Sequence, residues 1–99
     1  MLAIIDLIKK IEQRPGMYIT RNYISCLKSF LDGWFLRGTD NTKDDEFMRS
    51  FQDYIADKYR IKTSHSWSSI ILFYSQDECD ALKNFFSEFN SFLIIQNIG

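Results

Sequence analysis

Apolar residues recur at helical spacing from the start of the chain. The first such stripe consists of Ile4, Leu7, Ile8 and Ile11. Steps of three and four residues place side chains on one side of an α-helix, which must then be buried. Pro15 disfavours helical geometry at the residue before it, and Pro15 with Gly16 suits the centre of a type II turn, where glycine accepts a positive φ. The first helix is therefore predicted to end here, with Met17 and Tyr18 fastening the turn to the core.

A second stripe predicts another helix. It consists of Tyr23, Ile24, Leu27, Phe30, Leu31, Trp34 and Phe35. Asn22 is a preferred N-cap residue type, and Gly38 suits a left-handed stop at the C-terminal end. Because Trp34 shares this stripe with large apolar residues, it is predicted to be buried, and Trp34→Ala to cost roughly 3 to 5 kcal/mol.

A third helix is predicted after a polar loop that runs from Thr39 to Thr42. Its apolar stripe consists of Phe47, Phe51, Tyr54, Ile55 and Tyr59. Asp44, Asp45 and Glu46 crowd the predicted first turn. Carboxylates are favoured there because they meet the positive end of the helix dipole.

The segment from Ser64 to Ser75 fits two structures. Trp67, Ile70, Ile71 and Tyr74 fit a helix face, whereas residues 70–74 also fit a buried strand, and so short a run does not separate the two. A lone strand would lack a partner, which favours a short helix. Ser75 and Glu78 have capping-box spacing, so a last helix is predicted from near Gln76. Its stripe consists of Cys79, Leu82, Phe85, Phe86 and Phe89.

These elements predict an all-α fold, a compact bundle of four or five helices in a single domain over residues 1–99. The hydrophobic fraction of 45% with a single proline and four glycines argues against disorder.

Twelve basic and thirteen acidic side chains leave a net charge of -1, which does not favour a nucleic-acid ligand. The first helix is too charged for a secretory signal, and no run approaches the roughly 18 apolar residues of a membrane span. Cys26 and Cys79 lie on predicted apolar faces and are expected to be buried free thiols, which fits a cytoplasmic protein.

The residues do not form a recognisable catalytic or metal-binding motif. There is one histidine, His65, and the two cysteines lack metal-ligand spacing. Ser64, His65 and Ser66 are adjacent, whereas a catalytic triad is defined by geometry in space, so a serine cap on the next helix explains them better. Phosphate-binding and nucleophile-elbow glycine motifs are absent from the sequence. The protein is therefore predicted not to be an enzyme and to need no metal or cofactor.

Acidic residues form three groups that favour a basic protein partner. These are Asp40 with Asp44, Asp45 and Glu46; Asp53 with Asp57; and Asp77, Glu78 and Asp80. Negative patches steer basic proteins, although ordinary solubility and helix-end electrostatics also explain such residues. The predicted partner-binding set consists of these residues without Asp40, eight in all. No direct contact with nucleic acid or membrane is expected.

Three phrases of the sequence carry a family resemblance. They are Arg14-Pro15-Gly16-Met17-Tyr18, Phe30-Leu31-Asp32-Gly33-Trp34, and Ser64-His65-Ser66-Trp67 followed by Ile70-Ile71. They resemble small bacterial immunity proteins of toxin systems, including contact-dependent growth inhibition, over most of the chain. The resemblance implies a compact helical domain that binds and neutralises a co-encoded toxin, with a nuclease as one candidate class.

The first phrase is also similar to part of the ATPase domain of gyrase B and topoisomerases. In that domain a glycine commonly follows two residues after the tyrosine, whereas here the position is Thr20. The chain also lacks an Asp-x-Gly-x-Gly motif and is far shorter, so the ATPase interpretation is rejected. The leading hypothesis is a toxin-neutralising immunity protein. The alternatives are a general protein-interaction or adaptor domain and, third, an enzyme centred on His65 and nearby carboxylates.

Overall fold

The computed structural model describes residues 2–38 and 42–97, which form five α-helices without any strand. In chain order these are α1 (Ala3–Gln13), α2 (Ile24–Arg37), α3 (Thr42–Lys58), α4 (Trp67–Phe73) and α5 (Glu78–Ile95). The prediction of an all-α bundle with four or five helices is confirmed for these residues. Most of the predicted polar loop, with Asp40, lies outside the described residues, and Thr42 already belongs to α3. None of the described helices is long and apolar enough to cross a membrane.

The core is centred on the fully buried ring of Phe51 in α3. Five aromatic rings have centroids between 5.6 and 6.3 Å from that of Phe51. They belong to Tyr54, Trp67, Phe85, Phe89 and Phe92. Most of these pairs meet edge to face, the geometry in which the positive edge of one ring lies against the negative face of the next. This cluster joins α3, α4 and α5, while the buried isoleucines of α1 and Leu27 and Leu31 of α2 complete the same core.

The segment after α1 departs from the prediction. Pro15–Met17 form a short 3₁₀ helix in which Tyr18 and Ile19 both donate their backbone N–H to the Pro15 carbonyl at 2.9 Å. No described glycine has a positive φ, so the predicted type II turn at Gly16 is wrong. Met17 is exposed, whereas Ile19 is buried and Tyr18 packs against the core. Ile19 therefore anchors this segment in place of the predicted Met17.

Helix α2 buries a narrower face than its wide apolar stripe predicts. Ile24, Leu27 and Leu31 are buried, whereas Trp34 is only half-buried and lines a shallow surface depression with Phe30. The predicted burial of Trp34 is therefore wrong, because the packing of α2 on α4 and α5 fully covers only the part of its stripe formed by these three residues. The predicted helix ends need two further corrections. The N-cap residue is Tyr23, not Asn22, and Gly38 ends α2 in extended geometry, at φ -73° and ψ 137°, not in the left-handed region.

Helix α3 ends in a left-handed residue that is not a glycine. Arg60 has a φ of 55° and donates its N–H to the Asp57 carbonyl, and Ile61 donates to the Ala56 carbonyl at 2.9 Å. This pair of hydrogen bonds is the Schellman pattern, in which the residue after the helix turns left-handed and the next one packs back on the helix. Ile61 is accordingly packed against the core. The turn directs the chain from α3 into the loop that precedes α4.

The ambiguous segment before the last helix is helical. Ser66 is the N-cap of α4, and its hydroxyl accepts from the backbone N–H of Ser69 at 3.3 Å, as the predicted serine cap requires. Helix α5 is capped by Asp77, not Ser75, since the Asp77 carboxylate accepts from the Asp80 N–H at 2.8 Å. The predicted capping box is therefore wrong: the Ser75 hydroxyl instead donates to the Ile71 carbonyl at the end of α4.

The two cysteines are free, but they are not both buried as predicted. Cys26 is partly buried against the core and Cys79 is exposed. Cys79 lies in the first turn of α5, and the buried face of that helix begins only at Ala81. Its place on an apparent apolar stripe therefore does not bring it into the core.

Candidate functional site

Asp44, the first of the predicted partner-binding residues, lies inside the protein. It is only 8% exposed, and its Oδ1 accepts a hydrogen bond from the backbone N–H of Ile4 at 3.3 Å. Ile4 is in the first turn of α1, where backbone N–H groups have no partner within the helix. Asp44 therefore caps α1 from α3, and its carboxylate is largely shielded from solvent.

The acidic group at the start of α5 also serves helix ends. Asp77 caps α5, and Asp80 accepts from the backbone N–H of Gln76 at 2.9 Å. Glu78 accepts from both the backbone N–H and the hydroxyl of Ser25, at 3.0 and 2.9 Å, in the first turn of α2. These three carboxylates are committed to hydrogen bonds within the fold, which weakens their case as partner-binding groups.

The four remaining candidates are exposed on α3. The side chains of Asp45, Glu46, Asp53 and Asp57 form no ion pair or hydrogen bond with any part of the chain that the structure describes. Glu46, Asp53 and Asp57 follow one another at steps of seven and four residues, so they line one face of the helix, opposite buried Phe51. We call these three residues the α3 acidic stripe. Asp45 lies about 100° around the helix from Glu46.

One basic residue borders this stripe. Arg49 is exposed on α3, three residues after Glu46 and four before Asp53, which puts it on a neighbouring part of the same surface. It forms no ion pair within the described residues. The stripe therefore keeps a net negative charge, partly offset by Arg49.

The structure also contains a buried carboxylate that the sequence did not reveal. Glu88 of α5 is 6% exposed, and it accepts hydrogen bonds from Lys58 Nζ at 2.5 Å and the Tyr59 hydroxyl at 2.7 Å. This contact ties the C-terminal end of α3 to the middle of α5. The hydrogen bond to Glu88 raises the pKa of Lys58. Burial, together with the separate hydrogen bond of its own hydroxyl to Glu88, raises the pKa of Tyr59 to about 12.

Alkaline pH is expected to test the Glu88 contact. The raised pKa of Tyr59 means that the folded protein holds the phenol proton more tightly than the unfolded chain, whose tyrosine pKa is about 10. The resulting stability is complete below about pH 10 and is lost as the pH rises to about 12, with a loss on the order of 2 kcal/mol. The free energy of unfolding, measured with urea at several pH values, should show this fall. In Tyr59→Phe it should decrease less steeply with pH. The same pH dependence of stability in the wild type and in Tyr59→Phe would contradict the raised pKa of Tyr59.

His65 and its neighbouring serines occupy structural positions. His65 is exposed, and its backbone carbonyl accepts from the Gln52 side chain at 2.8 Å, while Gln52 in turn accepts from the Trp67 N–H. The Ser66 hydroxyl is held in the cap of α4 with Ser68 and Ser69. Among the described residues, no three metal-ligating side chains cluster. Within residues 2–38 and 42–97, no hydrogen bond joins the His65 imidazole to a serine hydroxyl.

Comparison of the chain with protein-family models, with curated proteins and with solved structures finds no match.

Proposed function

We propose that the protein is an immunity protein that binds a cognate bacterial toxin in the cytoplasm and neutralises it. The observation that carries the proposal is the α3 acidic stripe, whose carboxylates are exposed and have no intramolecular partner within the described residues. The three phrases that resemble immunity proteins of toxin systems support the same function. The partner is then a basic protein, with a nuclease as the first candidate class.

The stripe suits inhibition of an enzyme that binds an anionic substrate. A nuclease holds phosphates with basic side chains, and its positive surface attracts an acidic inhibitor from a distance. Carboxylates placed against these side chains cover the phosphate-binding surface or a surface next to it. Electrostatic complementarity of this kind accelerates association and selects the partner, while closer contacts determine how long the complex lasts.

Co-expression with the protein encoded immediately upstream tests this function. The two proteins are expected to purify together, and cells that express the upstream protein should survive only when this chain is also present. The variant Asp53→Lys with Asp57→Lys tests the contribution of the stripe: it should fold normally but protect less well. Its matched control is Asp6→Lys with Asp32→Lys. This variant makes the same change in net charge at exposed sites on α1 and α2 and should protect fully.

Two results would contradict immunity. Co-purification without protection would favour the general adaptor domain. Absence of both co-purification and protection would remove the upstream protein as the partner and, with it, the proposed function.

A further inference from the structure

A second surface, formed by the loop after α3 and by α4, has the features of a binding site for an acidic peptide. The loop after α3 and the exposed side of α4 enclose a groove of about 360 Å³. We call it the α4 groove, and it is lined by Ile61, Thr63, His65, Ser69, Ile70, Phe73 and Tyr74. Apolar side chains dominate its lining, with the hydroxyl groups and the imidazole at its polar positions. A groove of this size accommodates one or two side chains of a partner.

Two aromatic side chains of the groove are unusually exposed. Phe73 is 79% exposed and Tyr74 52% exposed, although both are large apolar residues. Their rings meet edge to face, with centroids 5.1 Å apart. Exposed aromatic residues grouped around a concave surface are typical of protein-binding sites, because contact with a partner removes their apolar area from water.

The aromatic side of the groove is also held in place. The Tyr74 ring stacks on that of Tyr59 with centroids 4.9 Å apart, and the Tyr59 hydroxyl donates to buried Glu88. The ring that a partner would contact is therefore fixed from the core outwards. A surface ordered before binding loses less conformational entropy when a partner is bound, which favours affinity.

The charge of this part of the chain indicates the chemistry of the partner. From residue 58 to residue 76 there is no carboxylate, but there are Lys58, Arg60 and Lys62. Lys58 is paired with Glu88, whereas Arg60 and Lys62 are exposed and form no ion pair within the described residues. Both flank Ile61, which lines the groove. Two cations that adjoin an apolar lining residue along the chain are complementary to an apolar side chain flanked by carboxylates.

We propose that the α4 groove binds an acidic peptide segment of a partner protein. One aromatic or aliphatic side chain of that segment packs against Ile61, Ile70 and Phe73, and the neighbouring carboxylates lie beside Arg60 and Lys62. This surface has the opposite charge to the α3 acidic stripe, so it recognises a different segment or a different protein. The inference does not depend on the proposed immunity function.

Fluorescence anisotropy with a small set of labelled peptides tests the groove. Each peptide carries one phenylalanine, leucine, isoleucine or tryptophan flanked by glutamates. At least one is expected to bind, with affinity that falls as salt rises and is lost when the glutamates are replaced by lysines or the apolar residue by serine. Phe73→Ser should weaken binding by about tenfold or more, as for a central aromatic contact, without changing thermal unfolding.

Matched variants separate the groove from general effects of charge or hydrophobicity. Leu36→Ser removes an apolar side chain that is 86% exposed on α2, and it should bind like the wild type. Lys62→Glu should weaken binding, whereas Lys43→Glu, at an exposed site on α3, should not. The proposal is overturned if no peptide of the set binds, or if Phe73→Ser and Leu36→Ser bind equally. Binding of single-stranded RNA or anionic vesicles through Phe73 and Lys62, without binding of the peptides, would also overturn it.

Discussion

Replacing Phe51 with alanine is expected to lower the free energy of unfolding by roughly 3 to 5 kcal/mol, the range for large aromatic residues in well-packed cores. The side chain is fully buried and its ring lies against five others on three helices. Its removal forfeits the transfer free energy of the ring and leaves a cavity that rigid aromatic neighbours cannot easily fill. Urea unfolding followed by circular dichroism measures this change.

Trp34→Ala provides the comparison within the same experiment. The indole of Trp34 is only half-buried, so its loss should cost about 1 to 2 kcal/mol, less than the value expected from its place in the α2 stripe. If Trp34→Ala destabilises the protein as much as Phe51→Ala, the described packing of α2 is wrong.

Replacing Glu88 with alanine is expected to cost about 2 to 3 kcal/mol, the second largest effect. The change removes two hydrogen bonds to a carboxylate and leaves the Tyr59 hydroxyl partly buried without its acceptor. The partly exposed Lys58 can be solvated by water, which keeps the cost below that of breaking a fully buried ion pair. Glu88→Gln, which keeps the volume and one acceptor oxygen, should cost less.

A double-mutant cycle isolates the Glu88 contact from the loss of packing. Glu88→Ala and Tyr59→Phe should be less than additive, with a coupling energy of about 1 kcal/mol or more. Glu12→Ala is a suitable control, because Glu12 also contacts α5, through Asn90, but at an exposed site. It should change stability by less than about 0.5 kcal/mol. Additive effects of Glu88→Ala and Tyr59→Phe would show that the two side chains stabilise the fold independently.

Local sequence rules identified the helices because each helix must bury one side. The three-and-four spacing located α1, α2, α3 and α5, and the argument that a lone strand lacks a partner led correctly to α4. The same rules failed for Trp34 and Cys79, because spacing shows which residues share a face but not how much of that face a neighbouring helix covers. Arg60 was missed for another reason. A left-handed helix end usually carries glycine, and the sequence around Arg60 has no glycine or asparagine that would predict the turn.

The candidate site was only partly predictable, because helices are capped by distant residues. Asp44 caps α1 across 40 residues of sequence, and Glu78 contacts the start of α2 across 53. In the sequence these carboxylates looked the same as exposed Asp53 and Asp57. Only the tertiary arrangement separates the carboxylates that complete helix ends from those that face solvent. Substitutions of Asp44 or Glu78 should therefore change stability, which makes these positions unsuitable for testing partner binding.

The central claim is that the α3 acidic stripe captures a basic toxin, and the association rate with the purified upstream-encoded protein tests it most directly. Salt shortens the Debye length from about 10 Å at 0.1 M to about 3 Å at 1 M, so electrostatic capture slows as salt rises. We expect Asp53→Lys with Asp57→Lys to associate about tenfold or more slowly at low salt and to respond little to added salt. Arg49→Glu should associate faster than the wild type, and all the free proteins should unfold at similar temperatures. Association rates that do not change with salt concentration and are equal for the wild type and both variants would contradict capture by this face.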